Sequence, residues 1–358
     1  MGVMSDTYEF AQKKLMTPGP VPLPDYVKQS FVKYECHHRS KEFSEILSRV
    51  FENLKKVFQT EEHCYLLPCT GTGAMEASIV NCLNFGDSIL TINSGKFGER
   101  WGKIGAAFGL KVKELSFPWG EKVDFDLIRK EFNSGNYKAI AMQACETSTG
   151  ALLSVEEMAK ITAGTEAILI VDGITALGVV DIPMDEWGVD ILIGGSQKAF
   201  MLPTGMAFLS LSKKAEAKKS SLPKYYWDLS AEKKSNLGAK TRYSTPSHFV
   251  LALDMVLDEM INKVGIKKHF QEIIDKAEYF RSLVNLEMFP QIPSPSLTCL
   301  KVPEGKSAQA IKNHLSDEGI TIVAGQDQLK DKVLRVGHMG AITRDDLQLT
   351  AETINKYL

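Results

Sequence analysis

Short runs of apolar residues recur along the first two thirds of the chain, and stretches with helical spacing of apolar positions separate them. The two clearest runs lie near the middle, at residues 167–172 and 190–195. Both are apolar at consecutive positions, which is typical of strands buried on both faces of a parallel sheet. Residues 40–59 instead place apolar side chains on one helical face. The alternation predicts an α/β fold, with a mostly parallel central sheet flanked by helices.

The same patterns predict the domain boundaries. Residues 1–20 are predicted to be an N-terminal arm, residues 21–249 a large domain, and residues 250–358 a smaller α+β domain. Residues 175–187, between the two central runs, are predicted to be a turn and connector, and residues 213–240, rich in Lys and Ser with aromatic residues at 225–227, are predicted to be a loop. Further strands are predicted at residues 65–68, 87–93, 111–117, 137–144, 206–212, 296–302 and 333–336. Helices are predicted at residues 155–162, 249–264 and 307–315. Two more helices are predicted to end near residues 83 and 283, and another to begin within residues 94–101.

Asp172 ends the first central run, and Lys198 follows the second. Ligands of α/β sheets bind beyond the carboxyl ends of parallel strands, so both side chains are expected at the rim of one crevice. A lysine and an acid at such a place suit pyridoxal 5'-phosphate, which needs an amine for covalent attachment and an acid that keeps its ring nitrogen protonated. The alternative is a structural ion pair at the edge of the sheet.

Residues 69–76 connect a predicted strand to a predicted helix and contain Gly71, Thr72 and Gly73. Free backbone N–H groups and the positive end of the helix dipole converge at such a turn, which favours an anion. The segment is neither a dinucleotide fingerprint nor a Walker loop, because Glu76 replaces a third glycine and no Gly-Lys-Ser/Thr follows. A phosphate cradle and a simple helix cap both remain open.

Three other places are candidates for ligand contact. Phe97 follows a predicted strand, where its ring can either stack on a planar cofactor or fill the core. Residues 145–150 form a hydroxyl-rich loop that can donate hydrogen bonds to a ring substituent. The proline-rich residues 16–24 are either a plain connector or, through the backbone near Gly19, a ligand contact.

Composition and charge narrow the classes of partner. With 44% hydrophobic and 24% charged residues, the chain resembles an ordinary soluble globular protein. A net charge of -2 without a basic arm argues against nucleic acid or a membrane surface as partner. No run reaches membrane-spanning length and the first ten residues lack the core of a signal peptide, so a cytoplasmic location is expected. The six cysteines lack paired spacing and no HExxH occurs, so no disulfide framework or metal site is predicted.

The order and spacing of several short motifs resemble the class V aminotransferases of the fold-type-I pyridoxal-phosphate superfamily. The resemblance is strongest to the alanine–glyoxylate and serine–pyruvate branch and covers essentially the whole chain. It implies pyridoxal 5'-phosphate as cofactor, a homodimer with shared active sites, and transamination between alanine or serine and a 2-oxo acid, glyoxylate or pyruvate. The matching motifs lie at residues 17–20, 38–40, 146–150, 171–173, 194–199 and 334–337.

The resemblance also implies a role for each matching residue. Lys198 and Asp172 are the catalytic pair: the amine bonds to the cofactor and moves the substrate's α-proton, while the carboxylate pairs with the ring nitrogen. Arg335 binds the substrate carboxylate, in a site that includes Gly19. The other implied contacts are Phe97 and Ile174 on the two faces of the ring, Thr147 on its hydroxyl, Gly71, Thr72, Gly73 and Gln197 on its phosphate, and Arg242 and Thr245 on the phosphate of the neighbouring subunit.

Three departures from the family pattern bear on these roles. Ala144 stands where relatives often carry a histidine, and Thr204 replaces a common proline. Arg242 lies near the place of a frequent tyrosine, so the contact with the partner's phosphate is assigned either to Arg242 or to Tyr243.

Other functions remain open within the same fold. One is an aminotransferase for a phosphonate amine such as 2-aminoethylphosphonate. Another is a pyridoxal-phosphate-dependent lyase or desulfurase, which needs a mobile cysteine near the site, and neither Cys36 nor Cys299 is obviously so placed. A non-enzymatic subunit of a larger complex is a further class, and such a protein is expected to have lost Lys198 or Asp172.

Overall fold

The computed structural model describes residues 13–358, in which strands and helices alternate. The strands, numbered in chain order, are β1 Lys14–Leu15, β2 Cys64–Leu67, β3 Ser88–Asn93, β4 Lys111–Ser116, β5 Ala139–Gln143, β6 Cys145–Glu146, β7 Ala151–Leu152, β8 Ile168–Asp172, β9 Ile191–Gly195, β10 Ala207–Leu211, β11 Leu297–Lys301, β12 Ile320–Thr321, β13 Val323–Ala324 and β14 Val333–Gly337. The helices are α1 Asp25–Lys33, α2 Lys41–Phe58, α3 Gly71–Cys82, α4 Lys96–Ala107, α5 Phe125–Ser134, α6 Val155–Thr162, α7 Met184–Trp187, α8 Lys213–Ala217, α9 Leu229–Asn236, α10 Ser247–Asp258, α11 Ile266–Leu283, α12 Ala308–Asp317 and α13 Arg344–Lys356.

Seven strands form the central sheet, in the order β2-β10-β9-β8-β5-β3-β4. Strands β9, β8, β5, β3 and β4 pair in parallel, and β10 alone runs antiparallel to its two neighbours. The predicted α/β fold with a mostly parallel sheet is therefore confirmed. Its parallel strands bring the ends of β8 and β9 to one edge, as the register of Asp172 opposite Ile193 requires.

Both faces of the sheet are covered, which explains the continuous apolar runs. Every residue of β5, β8 and β9 is buried. Along β8 the side chains alternate between two cores: Leu169 and Val171 pack in one, and Ile168 and Ile170 in the other. A strand enclosed in this way needs apolar residues at every position rather than at alternate ones.

A smaller sheet, β11-β14-β13, lies in the C-terminal third and packs against α11 and α12, and α13 packs on these two helices. Residues 1–12 of the predicted arm lie outside the described part of the chain. The arm's described end pairs β1 in parallel with β12 beside this sheet. The predicted boundary after residue 249 falls inside α10, and the division into two domains stays a prediction. Across residues 13–358, no helix is long and apolar enough to cross a membrane.

The predictions of a connector at residues 175–187 and of a loop at residues 213–240 were incomplete. The first segment ends in α7, and the second contains α8 and α9. Side chains cap two of these helices, because Ser212 accepts from the N–H of Ala215 and Asp228 from that of Ala231. Helices this short show too few turns to reveal a period, so their capping residues were the better signal.

Candidate active site

A cavity of about 350 Å³ opens at the carboxyl end of the central sheet. Its walls come from the ends of β8 and β9, the start of α3, the start of α4 and the N-terminal segment around Gly19. Ligands of open α/β sheets bind at this edge. The residues that line it are Gly19, Pro20, Thr70, Gly71, Thr72, Phe97, Arg100, Cys145, Thr147, Asp172, Ile174, Thr175, Gln197, Lys198 and Thr204.

Lys198 lies in the turn after β9 and is only 8% exposed. Its Nζ donates a hydrogen bond to the carbonyl of Pro18 at 2.7 Å. Gly19, with a φ of +150°, allows this approach, because a Cβ there would lie 2.3 Å from Nζ. Burial lowers the pKa of Lys198 to about 8. More of the amine is therefore neutral and nucleophilic at ordinary pH than in a free lysine.

Asp172 is the last residue of β8 and is buried. Its Oδ1 accepts the backbone N–H of Ile174 at 2.9 Å. Burial raises the pKa of Asp172 to about 6, although this hydrogen bond and the charge of Arg100 oppose the rise. The carboxylate keeps unused acceptor positions facing the cavity, so it can pair with a protonated ring nitrogen.

The start of α3 has the geometry to hold an anion, and it is called the cradle below. The N-cap residue Thr70 makes no side-chain capping bond within the described chain, which leaves the first N–H groups of the helix for a ligand. The hydroxyl of Thr72 accepts from Nη1 of Arg100 at 3.1 Å, which places a cation beside the cradle. A Cβ on Gly71 would lie 2.1 Å from Cδ1 of Ile174, so a side chain at residue 71 would displace the end of Ile174.

Two apolar side chains, Phe97 and Ile174, line the cavity together with the acid and the amine. The guanidinium of Arg100 lies over the Phe97 ring, 4.8 Å from its centroid. The buried Oε1 of Gln197, near the cradle, has no hydrogen-bond partner among the described residues. An anion cradle, a buried acid, a buried amine and two apolar walls fit the phosphate, ring nitrogen, aldehyde and flat ring of pyridoxal 5'-phosphate.

Thr147 connects the cavity to the C-terminal sheet. Its hydroxyl is hydrogen-bonded to that of Thr175 at 2.8 Å, and its carbonyl accepts from Nη1 of Arg335 at 3.0 Å. Nη2 of Arg335 donates to the carbonyl of Ala324 at 3.0 Å, and the buried Nε has no partner in the described chain. Arg335 is thus buried against the cavity wall at Thr147.

Three other predicted site residues do not line the cavity of the single chain. A Cβ on Gly73 would face Cys69 and Trp227. The guanidinium of Arg242 lies 5.0 Å from the ring centroids of Tyr225 and Tyr243, and its Nη1 donates to the Tyr225 carbonyl. The hydroxyl of Thr245 donates to the carbonyl of Tyr243.

The sequence predictions missed Arg100 and Glu146 as residues of this site. Arg100 lies one helical turn after Phe97, and that spacing was its available signal. Glu146 is fully buried and accepts hydrogen bonds from the start of α4 and from Ser148. Its position inside the hydroxyl-rich loop carried no sign of burial.

The fold and the site together define a fold-type-I enzyme that uses pyridoxal 5'-phosphate. The family model Aminotransferase class-V matches residues 24–349, and the chain belongs to this family. It is therefore a pyridoxal-phosphate-dependent class V aminotransferase, an enzyme that moves an amino group between an amino acid and a 2-oxo acid.

Relatives that align over nearly the whole chain carry different names. A soluble hydrogenase small subunit from Synechococcus sp. (strain PCC 6716) is 35% identical over 96% of this chain and 92% of its own. A serine–glyoxylate aminotransferase from Methylorubrum extorquens is 30% identical over 94% of this chain and 89% of its own. The solved alanine–glyoxylate aminotransferase from Nostoc sp. has a TM-score of 0.93 at 26% identity, covering 99% of this chain and 97% of the other.

Proposed function

We propose that this aminotransferase uses alanine or serine as amino donor and glyoxylate or pyruvate as acceptor. The observation that carries the proposal is one cavity in which Lys198 and Asp172 face the same space, with Arg335 buried against its wall at Thr147. A cavity of about 350 Å³ must hold both the cofactor and the substrate, which favours a small side chain. The names of the serine–glyoxylate and alanine–glyoxylate relatives support the same substrate class.

In this proposal each residue of the cavity has a separate task. Bound pyridoxal 5'-phosphate supplies the electron sink for the negative charge left when the α-proton departs. The Nζ of Lys198 accepts that proton and returns it, and burial prepares the amine by lowering its pKa to about 8. The Asp172 carboxylate holds a proton on the ring nitrogen. The other proposed contacts are Gly71, Thr72, Gly73 and Gln197 with the phosphate, Phe97 and Ile174 with the ring faces, Thr147 with the ring hydroxyl, and Gly19 and Arg335 with the substrate.

We further propose a homodimer in which residues 242–245 reach the phosphate site of the partner. Tyr225 is 75% exposed and stacks with Arg242, so this aromatic group stands at the surface with a cation beside it. The hydroxyl of Tyr243 donates to the same Tyr225 carbonyl as Arg242. Either side chain can therefore supply the phosphate contact in the dimer, with Thr245 next to it.

A desulfurase is not favoured by the thiol that lines the cavity. Cys145 is buried, and burial raises its pKa to about 12. A catalytic thiol needs an accessible thiolate. The phosphonate-amine alternative has no supporting contact in the described site and serves as one donor in the test below.

The proposed substrates are tested by a donor screen on purified protein loaded with cofactor. Alanine, serine, aspartate and 2-aminoethylphosphonate are each offered with glyoxylate or pyruvate, and amino-acid products are separated and quantified. We expect alanine or serine with glyoxylate or pyruvate to give a kcat/KM at least tenfold above the other donors. The proposal would be contradicted if the enzyme preferred 2-aminoethylphosphonate, or if none of the four donors were transaminated.

Arg335→Lys is expected to raise KM for donor and acceptor together by about 10- to 100-fold, while cofactor affinity is unchanged. A charge-assisted bidentate contact with a carboxylate contributes about 1.5–3 kcal/mol, and lysine offers a single point charge instead. Both substrates bind the same half-site, so both constants should move. Steady-state kinetics and a cofactor titration provide the measurement.

The matched control is Arg281→Lys. Arg281 also holds backbone carbonyls in the C-terminal third, those of Ser294 and Leu297, but does not border the cavity. The substitution Arg281→Lys is expected to reduce thermal stability without changing KM. If Arg335→Lys behaves like this control, Arg335 is a structural residue and not a substrate contact.

A further inference from the structure

Glu146 is a buried carboxylate that joins two walls of the cavity. Its Oε2 accepts the backbone N–H groups of Phe97 at 3.1 Å and Gly98 at 3.0 Å, in the first turn of α4. Its Oε1 accepts the backbone N–H and the hydroxyl of Ser148 and also shares the Phe97 N–H, at 3.3 Å. The two oxygens therefore serve two segments that are about fifty residues apart in sequence.

Each segment carries a residue of the cavity. The first turn of α4 presents Phe97, and the loop after Glu146 presents Thr147. The loop also reaches the substrate side, because the carbonyl of Thr147 holds Nη1 of Arg335. A movement of the carboxylate would thus displace Phe97 and, at the same time, the Thr147 carbonyl that holds Arg335.

The Glu146 side chain is tightly packed. The side chain is completely buried, and no cation forms an ion pair with it among residues 13–358. Gly95 passes so close that a Cβ there would lie 2.4 Å from Cδ of Glu146. The hydroxyl of Ser148 in turn accepts the N–H of Lys96 at 3.1 Å, which adds a second link between the loop and α4.

A buried carboxylate without a cation is unfavourable unless hydrogen bonds replace its hydration. Burial raises the pKa of Glu146, and the donors from Ser148, Gly98 and Phe97 oppose this rise. Its charge also acts on two neighbouring groups: burial raises the pKa of Asp172 and Glu146 adds to that rise, while burial lowers the pKa of Arg335 and Glu146 opposes that fall. A shape-filling apolar residue would supply none of these effects.

We infer that Glu146 is a positioning residue of this enzyme: its carboxylate fixes Phe97 and Thr147 at the distance that the cofactor requires. The inference rests on the proposed function only for the contacts of Phe97 and Thr147 with the cofactor. Glu146 touches neither cofactor nor substrate, and it acts through the two segments that carry Phe97 and Thr147.

The test is Glu146→Gln. Glutamine keeps the shape, but only its amide oxygen accepts hydrogen bonds, while its NH2 group must face either the Phe97 and Gly98 donors or those of Ser148. In either orientation at least one backbone N–H, that of Gly98 or that of Ser148, loses its acceptor. In cofactor-free protein, hydrogen exchange of a peptide covering residues 94–101 or 146–150 is expected to accelerate. The dissociation constant for pyridoxal 5'-phosphate should rise at least tenfold, and the circular dichroism band of the bound cofactor should weaken.

The matched control is Asp190→Asn. Asp190 is a buried carboxylate at the opposite edge of the same sheet, where it accepts from the N–H of Leu169 and the hydroxyl of Ser212 and pairs with Nζ of Lys214 at 2.7 Å. Its loss is expected to lower the melting temperature while cofactor affinity and the dichroism band stay within twofold of wild type. If Glu146→Gln shows the same pattern as this control, the positioning role is wrong.

Ser148→Ala provides a second variant in case Glu146→Gln does not fold. It removes one donor to Glu146 and the acceptor of the Lys96 N–H, so a threefold or greater loss of cofactor affinity is expected. Unchanged affinity in a folded Ser148→Ala protein would also overturn the inference. Because the measurement uses cofactor binding alone, failure of the proposed substrates would appear separately, as wild-type protein that binds cofactor without transaminating alanine or serine.

Discussion

Lys198→Ala is expected to lose transamination by roughly a thousandfold or more. General acid–base catalysis by one positioned group contributes roughly 10²–10⁴-fold, and the lysine also provides the covalent attachment of the cofactor. The buried amine, 2.7 Å from the Pro18 carbonyl, is the amine that lines the cavity. Among the described residues that line the cavity, no other lysine remains to move the α-proton.

Borohydride reduction measures the attachment directly. Wild-type protein loaded with pyridoxal 5'-phosphate should be yellow, and reduction followed by peptide mapping should find the cofactor on Lys198. The control Lys213→Ala removes a lysine at the opposite edge of the sheet whose side chain is 89% exposed, and it should keep full activity. A trapped peptide with another lysine, or wild-type protein that binds no cofactor, would refute the assignment.

Asp172→Asn is expected to retain cofactor and to lose about 100- to 1000-fold in kcat. The neutral amide cannot hold a proton on the ring nitrogen, and that proton matters most when negative charge develops in the transition state. Asparagine can still accept the N–H of Ile174, so the turn should be preserved. Asp172→Ala should bind cofactor more weakly as well. Near-normal kcat in Asp172→Asn would remove this role.

The pH dependence of stability provides an independent measurement on the same residue. In the folded, cofactor-free protein, burial raises the pKa of Asp172 from 3.8 to about 6. The folded state therefore binds more protons than the unfolded state in this window, and the contribution of Asp172 to stability decreases as the pH rises through it. Asparagine does not ionise, so its contribution to stability does not decrease as the pH rises. At pH 8 the cofactor-free Asn variant should be more stable than wild type by up to about 3 kcal/mol, and below pH 4 the difference should vanish. Urea unfolding at both pH values checks this result.

The order of elements and the shared cavity of Asp172 and Lys198, the proposed catalytic pair, followed from local sequence. Strands buried on both faces need continuous apolar runs, so the runs at β8 and β9 were visible without the structure. Parallel strands end at one edge, and this rule alone placed Asp172 and Lys198 in one cavity. The cradle at Gly71 was visible for a similar reason, because a helix start after a strand is a short-range pattern.

Only the tertiary structure decided the contacts between segments far apart in the chain. Glu146 meets the start of α4 about fifty residues away, Arg335 meets Thr147 across 188 positions, and Lys198 meets Pro18 across 180. No local period encodes such contacts, because they depend on how separate elements pack. Local sequence patterns were therefore enough to predict the fold class, the cofactor class and the shared cavity of the proposed catalytic residues Asp172 and Lys198. Packing determined which buried polar groups hold that pair in place, since a buried hydrogen bond requires a partner that folding alone brings near.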